Sequence, residues 1–325
     1  MTKKFIFALF VLFISCTPRQ SGQKIQLLLD WKTQMEHSGF LVAQSKGFYA
    51  EEGLEVEILA GKGAPTTARL IGNGTYLLGV SSGSATVMAR AKNIPVVSVA
   101  VINQHSPVVI YSLKESQLLK PSDLVGKRVG VNIGGTKHRE FQALLRHLSI
   151  SEDDIQLMGM TESNPGPLLA GKVDAMLGYT EDQPVTVELR GREVSRISLA
   201  EHGIDLYSTN IIVNEPYMNE NPKTVRSFVR ASMKGWAYAI EHPEEAVSIY
   251  VATYPESDPG FNRANFKRLI PILQSEDVNK SGLGAQTEER WTHTQEVLFD
   301  LKLIKKTVPV TQIYTNKFLS NQNAH

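Results

Sequence analysis

The sequence predicts an α/β protein of two lobes, with a two-strand hinge between them and a helical layer at the end of the chain. Three observations predict it. Short apolar runs alternate with helical segments from Ile25 to Val213, the pattern of sheets covered by helices. After Val213 the pattern changes to helices alone. The chain has 325 residues, more than one hydrophobic core usually organises.

The elements follow in order. Lys3 and Lys4, an apolar run from Phe5 to Ile14, and the small Ser15 form a signal peptide over residues 1–15. The apolar run is too short to span a bilayer. Cys16, the chain's only cysteine, follows directly. This ending resembles the lipobox of bacterial lipoproteins, with Phe13 in place of the usual Leu, which implies lipidation at Cys16; the alternative is an ordinary signal peptide with an incidental cysteine. Residues 16–23 then read as the lipidated cysteine and a flexible linker. Strands are expected at 25–29, 56–59, 76–80, 96–102, 108–111, 128–131, 155–160, 175–178, 194–198 and 210–213. Helices are expected between them at 37–46, 65–71, 85–91, 139–148 and 185–190, and parallel sheets are the expected result. Asn221-Pro222 is a cap followed by a proline in the first helical turn, and Val225, Phe228, Val229, Ser232, Trp236 and Ile240 follow at helical spacing. Pro243, Pro259 and Thr287 open further helices. The expected first lobe is residues 24–111 plus 210–319, and the second is 112–209. Residues 112–123 and 201–209 are the expected crossings, and 320–325 a disordered tail. Two crossings make a hinge, and the cleft between hinged lobes is a natural ligand site.

Charge narrows the partners. The chain carries 34 Lys+Arg and 33 Asp+Glu, and loss of Lys3 and Lys4 with the leader takes the formal charge from +1 to −1. A balanced chain lacks the basic excess that nucleic acid requires. The eight histidines are dispersed without H-E-x-x-H or a cysteine cluster, so neither a metal nor a cofactor is expected.

The most informative internal stretch runs from Leu27 to Ile58, LLLDWKTQMEHSGFLVAQSKGFYAEEGLEVEI. Asp30 and Trp31 end a strand there, and His37 opens a helix, the ends at which α/β sheets bind ligands. Trp31 offers a face for stacking or fills a core, and His37 reaches a ligand or simply bonds the helix start. This stretch resembles the substrate-binding proteins of ABC importers for thiamine pyrimidine precursors, which carry L-D-W-x-P-N-x-N-H-x-G and then G-Y/F-…-E-E-G-L-x-V. Asp30, Trp31, His37, Gly39, Gly47, Glu51, Glu52, Gly53, Leu54 and Val56 match. Thr33, Gln34 and Glu36 stand where those proteins have Pro, Asn and Asn. The resemblance continues through INQHSP at 102–107, which holds His105, and on through SDLVGKRVGV, LLAGKVDAMLGY and the late helices.

The resemblance implies a type II periplasmic-binding-protein-like fold. It implies a monomeric lipoprotein, exported and membrane-anchored, that captures a small heterocyclic nutrient and delivers it to permease and ATPase subunits. A thiamine pyrimidine precursor leads, with riboflavin or another vitamin-like compound next. Fungal relatives of the fold instead synthesise the pyrimidine, with a cysteine-rich iron motif and lysine-bound pyridoxal phosphate. The mature chain has no cysteine beyond Cys16, so no enzyme is expected.

Other candidates lie at strand ends. Gly79-Val80-Ser81-Ser82-Gly83 matches the G-x-S-x-G nucleophile elbow, but no glycine-rich oxyanion loop accompanies it. The alternative is a helix start at which Ser82 and Ser84 meet a ligand. Gly134-Gly135-Thr136 offers backbone donors at a helix start, or only a capped turn. Asn164 precedes a short helix. Tyr179 could stack on a ring, and Glu181 either accepts from ring amines or is a solvated loop acid.

Overall fold

The structure is a computed structural model that describes residues 22–161 and 164–319. The expected signal peptide at 1–15, Cys16 and the expected tail at 320–325 lie outside the described residues.

The chain opens with β1 (Gln23–Leu28), a 3-10 turn (Met35–His37), α1 (Ser38–Ser45), α2 (Phe48–Glu51), β2 (Leu54–Leu59), α3 (Ala64–Gly72), β3 (Leu78–Ser82), α4 (Gly83–Ala91) and β4 (Val96–Val101). It crosses at 102–107 into β5 (Val108–Leu113), β6 (Arg128–Val131), α5 (Thr136–His147), β7 (Gln156–Gly159), α6 (Gly166–Leu169), β8 (Ala175–Tyr179), α7 (Gln183–Leu189) and β9 (Val194–Ser198). It returns through 199–208 to β10 (Thr209–Asn214). The last helices are α8 (Glu215–Glu220), α9 (Pro222–Glu241), α10 (Pro243–Thr253), α11 (Pro259–Leu273), α12 (Glu276–Ser281) and α13 (Glu288–Asp300). All ten expected strands form, within a few residues of their expected ends.

Two sheets of five result, in the orders β2-β1-β3-β10-β4 and β7-β6-β8-β5-β9. They are mixed, not parallel as the alternation suggested. β10 runs antiparallel between β3 and β4, and β5 antiparallel between β8 and β9, because both strands enter their sheet from a crossing. The expected lobe boundary also moves. Residues 108–111 pair with Tyr179–Met176 and with 196–198, so they belong to the second lobe. Residues 112–123 are consequently not a crossing; the first crossing is 102–107. Asn103 accepts from the Ser208 amide at 3.1 Å and donates to the Thr209 carbonyl at 3.2 Å, so the two crossings run side by side.

Each sheet has its own core. Leu27, Val80, Val99, Ile211 and Val213 are buried beneath α1 and α9, and Val129, Val131, Phe141, Leu144 and Ile197 in the second lobe. A large apolar side chain buried in this way contributes about 1.5–3 kcal/mol. The predicted stripe on α9 is the face that packs on α1, with Phe228, Val229, Ser232 and Trp236 fully buried. The two helices touch backbone to backbone. A Cβ on Gly235 would lie 2.3 Å from the Gly39 carbonyl oxygen, and one on Gly39 would lie 2.2 Å from the Trp236 ring. Trp236 meets Phe40 edge-on at 5.7 Å. The late helices also reach the second lobe, for α11 packs against both the Met35–His37 turn and α7.

Alanine normally stabilises a helix relative to glycine by about 1 kcal/mol. At Gly235 the collision is with backbone, so the sign should reverse. Gly235→Ala should lose about 1–3 kcal/mol in equilibrium denaturant unfolding; an unchanged or raised midpoint would contradict the close crossing.

Candidate functional site

The carboxyl ends of β1, β3 and β8 and the start of α5 face a cleft of about 760 Å³ between the sheets. That is the size of a site for a drug-sized molecule.

Its first wall is the loop after β1. The Asp30 carbonyl accepts from Gly63 N–H at 2.6 Å, the Trp31 carbonyl from Gly61 N–H at 2.9 Å, and the Leu29 carbonyl from the Thr67 hydroxyl at 2.8 Å. A Cβ on Gly61 would sit 1.8 Å from the Leu29 oxygen, so only glycine permits this approach. From α10, the Tyr250 hydroxyl donates to the Thr33 carbonyl at 2.9 Å. The loop held in this way presents Asp30, Trp31, Gln34 and Glu36 to the cleft.

His37 does not line it. The ring is fully buried, with Nδ1 accepting from the Gln34 amide at 3.2 Å and Nε2 at 2.9 Å from Asp30 Oδ1. An acceptor role at Nδ1 puts the neutral ring's proton on Nε2, so His37 donates to Asp30 and orients it. Burial opposes a charge on this ring, but the bond to Asp30 and the neighbouring carboxylates outweigh it and raise its pKa. Asp30, Glu36 and His37 are close enough to hold a metal ion. Both imidazole nitrogens are spent on hydrogen bonds, however, and the trio acts as a positioning chain.

The second wall is acidic and desolvated. Glu181 is 2% exposed, and burial, with Glu36 nearby, pushes its carboxyl up to about 8. Its Oε2 has no hydrogen-bond partner among the described residues. Burial also raises Glu140 to about 7, although its Oε2 accepts from the Ser106 hydroxyl at 2.6 Å. Glu36 rises to about 7, burial outweighing the His37 charge, and Asp182 rises for the same reason. With Asp30, five carboxyl groups line the cleft, against Lys32, Lys137 and Arg190. Ionised, these groups accept from hydrogen-bond donors and attract cations; protonated, as burial makes Glu181 near neutral pH, they also donate.

The remaining sequence candidates fall into three groups. Trp31 is 49% exposed and open to the cleft, while Tyr179 is partly buried there with the Lys137 ammonium 4.4 Å above its ring. Thr136 and Asn164 line the cleft. Ser82 lines the cleft and also caps α4, accepting from Ala85 N–H at 3.2 Å, whereas Ser84 turns to a separate pocket of about 10 Å³ beside Met88 and Leu206. Gly135 lines the cleft and Gly134 does not, and the expectation that their amides are offered to a ligand needs correction. Gly134 N–H donates to His138 Nδ1 at 3.0 Å and Gly135 N–H to the Asn132 carbonyl at 3.0 Å, so the turn consumes both. His105 lies at the crossings, with Nδ1 2.6 Å from Asp205 and Nε2 3.6 Å from Asp277. Buried Ser81 donates to the Ala64 carbonyl at 3.2 Å rather than to a base, so the elbow motif is a strand end here.

Sequence reasoning did not place Lys137, Glu140 or Asp182 in the site. Lys137 and Glu140 stand three residues apart on one face of α5, a spacing that groups them without showing which way that face points.

Comparison with known proteins now bears on this geometry. The family model "NMT1/THI5 like" matches residues 34–246. The chain belongs to that family. The riboflavin-binding protein RibY of Chloroflexus aurantiacus is 28% identical over 91% of this chain and 86% of its own length. The 4-amino-5-hydroxymethyl-2-methylpyrimidine phosphate synthase of Legionella pneumophila is 31% identical over 91% of this chain and 92% of its own. The formylaminopyrimidine-binding protein of Halalkalibacterium halodurans is 25% identical over 83% and 82%. Among solved structures, the periplasmic aliphatic sulphonate binding protein SsuA of Escherichia coli superposes with a TM-score of 0.72 at 16% identity, covering 92% of this chain and all of that one. The fold is that of the periplasmic binding proteins. None of the described helices is long and apolar enough to cross a membrane.

The raised carboxyl groups carry a stability consequence. A folded-state pKa above the unfolded value means that the native state holds the extra proton, so stability falls as pH rises through that window. For Glu181 the window runs from 4.5 to about 8. The unliganded protein should therefore melt a few degrees lower at pH 8 than at pH 5.5, and Glu181→Gln should flatten that slope. A Glu181→Gln melting profile parallel to wild type would contradict the burial of an ionisable carboxyl.

Proposed function

We propose that this chain is the substrate-binding lipoprotein of an ABC importer. It would capture a small heterocyclic nutrient, a thiamine pyrimidine precursor first, with riboflavin or a similar vitamin as the alternative. One observation carries the reading: Glu181, whose Oε2 has no hydrogen-bond partner among the described residues, lines an acid-rich cleft that also holds the open Trp31 ring. An aminopyrimidine supplies the donor that this oxygen lacks and the flat face that Trp31 can stack on. The family membership and the relatives named for riboflavin and formylaminopyrimidine support the ligand class. Closure of the lobes would bury the ligand and offer the permease a changed face, with no bond made or broken.

A synthase is the second reading, favoured by the Legionella relative. Against it, the mature chain has no cysteine beyond Cys16. Mass spectrometry of the pyrimidine after prolonged incubation separates the two, since a binding protein returns it unchanged.

Titration calorimetry with formylaminopyrimidine, hydroxymethylpyrimidine and riboflavin tests the site. Trp31→Ala should weaken binding about 30- to 150-fold through lost contact area and stacking. Glu181→Gln should cost roughly 10- to 100-fold for a ligand that offers an amine. Wild-type affinity in both variants would remove the cleft from consideration.

Anchoring is tested separately. Mature protein should begin at an acylated Cys16 and partition into detergent, and Cys16→Ala should move it to the aqueous phase. Exported wild-type protein without acyl chains would refute the lipoprotein assignment.

A further inference from the structure

Lys137 is the second residue of α5. Its side chain reaches across to the end of β8, where the ammonium sits 4.4 Å above the Tyr179 ring. Among the described residues it makes this ring contact and no ion pair. Yet Asp182, Glu181, Glu36 and Glu140 all act on it electrostatically. A cation is thus held by an aromatic face within an acidic field and bonded to none of the acids. A planar ligand that stacked on this face of Tyr179 would need the same space.

We propose that Lys137 is a tethered stand-in for the ligand's cationic or amino group, holding that position over Tyr179 and swinging out when the nutrient binds. The proposal rests on reading the cleft as a site for an amine-bearing ring, and it adds the residue that sets specificity within it. A four-carbon stem lets the ammonium leave without moving α5. Desolvation already opposes the ammonium's charge there, so holding it in the cleft carries a cost. A ligand that brings its own positive or donor group replaces what the site loses. A neutral ring without donors expels the cation and leaves the acids with neither counter-charge nor donor, so it is rejected. The selection therefore comes from a built-in competitor and not only from attractive contacts.

The test uses benzamidinium chloride, a small planar aromatic cation, so that it does not depend on the nutrient's identity. Its affinity is measured by titration calorimetry for wild type, Lys137→Met, Lys137→Arg and Lys32→Met, with folding checked by circular dichroism. Lys32 also lines the cleft and reports the effect of removing one charge without the ring contact. Lys137→Met should tighten benzamidinium binding about tenfold. Lys137→Arg keeps a cation that stacks on the ring and should not tighten it. A gain in Lys137→Met no larger than that in Lys32→Met would reduce the effect to the general field and overturn the proposal. Unchanged, undetectable or weaker binding in Lys137→Met would overturn it as well, the last by making Lys137 a direct ligand contact. Failure of wild type to bind pyrimidines or riboflavin would instead count against the functional reading, and the benzamidinium comparison would still decide the role of Lys137.

Discussion

Asp205 lies on the return crossing, and one of its oxygens accepts the Ser106 amide of the outgoing crossing at 3.0 Å. The other lies 2.6 Å from His105 Nδ1 and 3.0 Å from Arg290 Nη1. Arg290 comes from α13, sits 4.8 Å above the Tyr207 ring and donates to the Gln104 carbonyl. Burial alone would raise the Asp205 pKa, but His105 and Arg290 outweigh it and hold the group ionised. Both crossings and the last long helix therefore meet at one carboxylate. The cleft walls sit on opposite sides of this junction, and their spacing depends on it. Ser106 extends the junction into the cleft through its bond to Glu140.

The fold was more legible than the site, for a physical reason. Strands declare themselves by local apolar runs, and all ten did. Which sheet a strand joins is not a local property. From Val96 to Tyr111 the sequence reads as two apolar runs with a short polar break, INQHSP, and nothing in that break says that the chain changes lobes there. The break is short because its amides bond to the return crossing instead of forming a loop of their own. The site follows the same rule. Asp30, Trp31 and Glu181 stand at strand ends and could be found. Lys137 and Glu140 lie on a helix whose direction only the folded lobe supplies. Gly134 and Gly135 were visible as a turn, but the acceptor His138 that occupies the Gly134 amide was not.

The comparison with SsuA shows how little of the ligand the fold decides. That protein is named for aliphatic sulphonates, and it shares the architecture over nearly the whole chain. The cleft described here is lined by five carboxyl groups and three basic side chains, and several of the acids are buried enough to keep their protons near neutral pH. Holding these acids in a dry cleft works against the stability of the empty protein. That tension is common where a binding site is preorganised for a partner it has not yet met.

The first sheet cannot close until late. β3 and β4 never pair with each other; each pairs with β10, which runs between them. Until residue 214 is available, β3 and β4 present unpaired edges, the kind of surface that invites association with another chain. The second sheet, by contrast, draws on one continuous stretch from Val108 to Ser198 and can form without waiting for anything downstream. The contacts that complete the first lobe span more than a hundred residues and carry the larger loop-closure cost. Emergence from an export channel would therefore favour an order of events in which the inserted lobe matures first and the lobe that begins the chain is the last to be sealed.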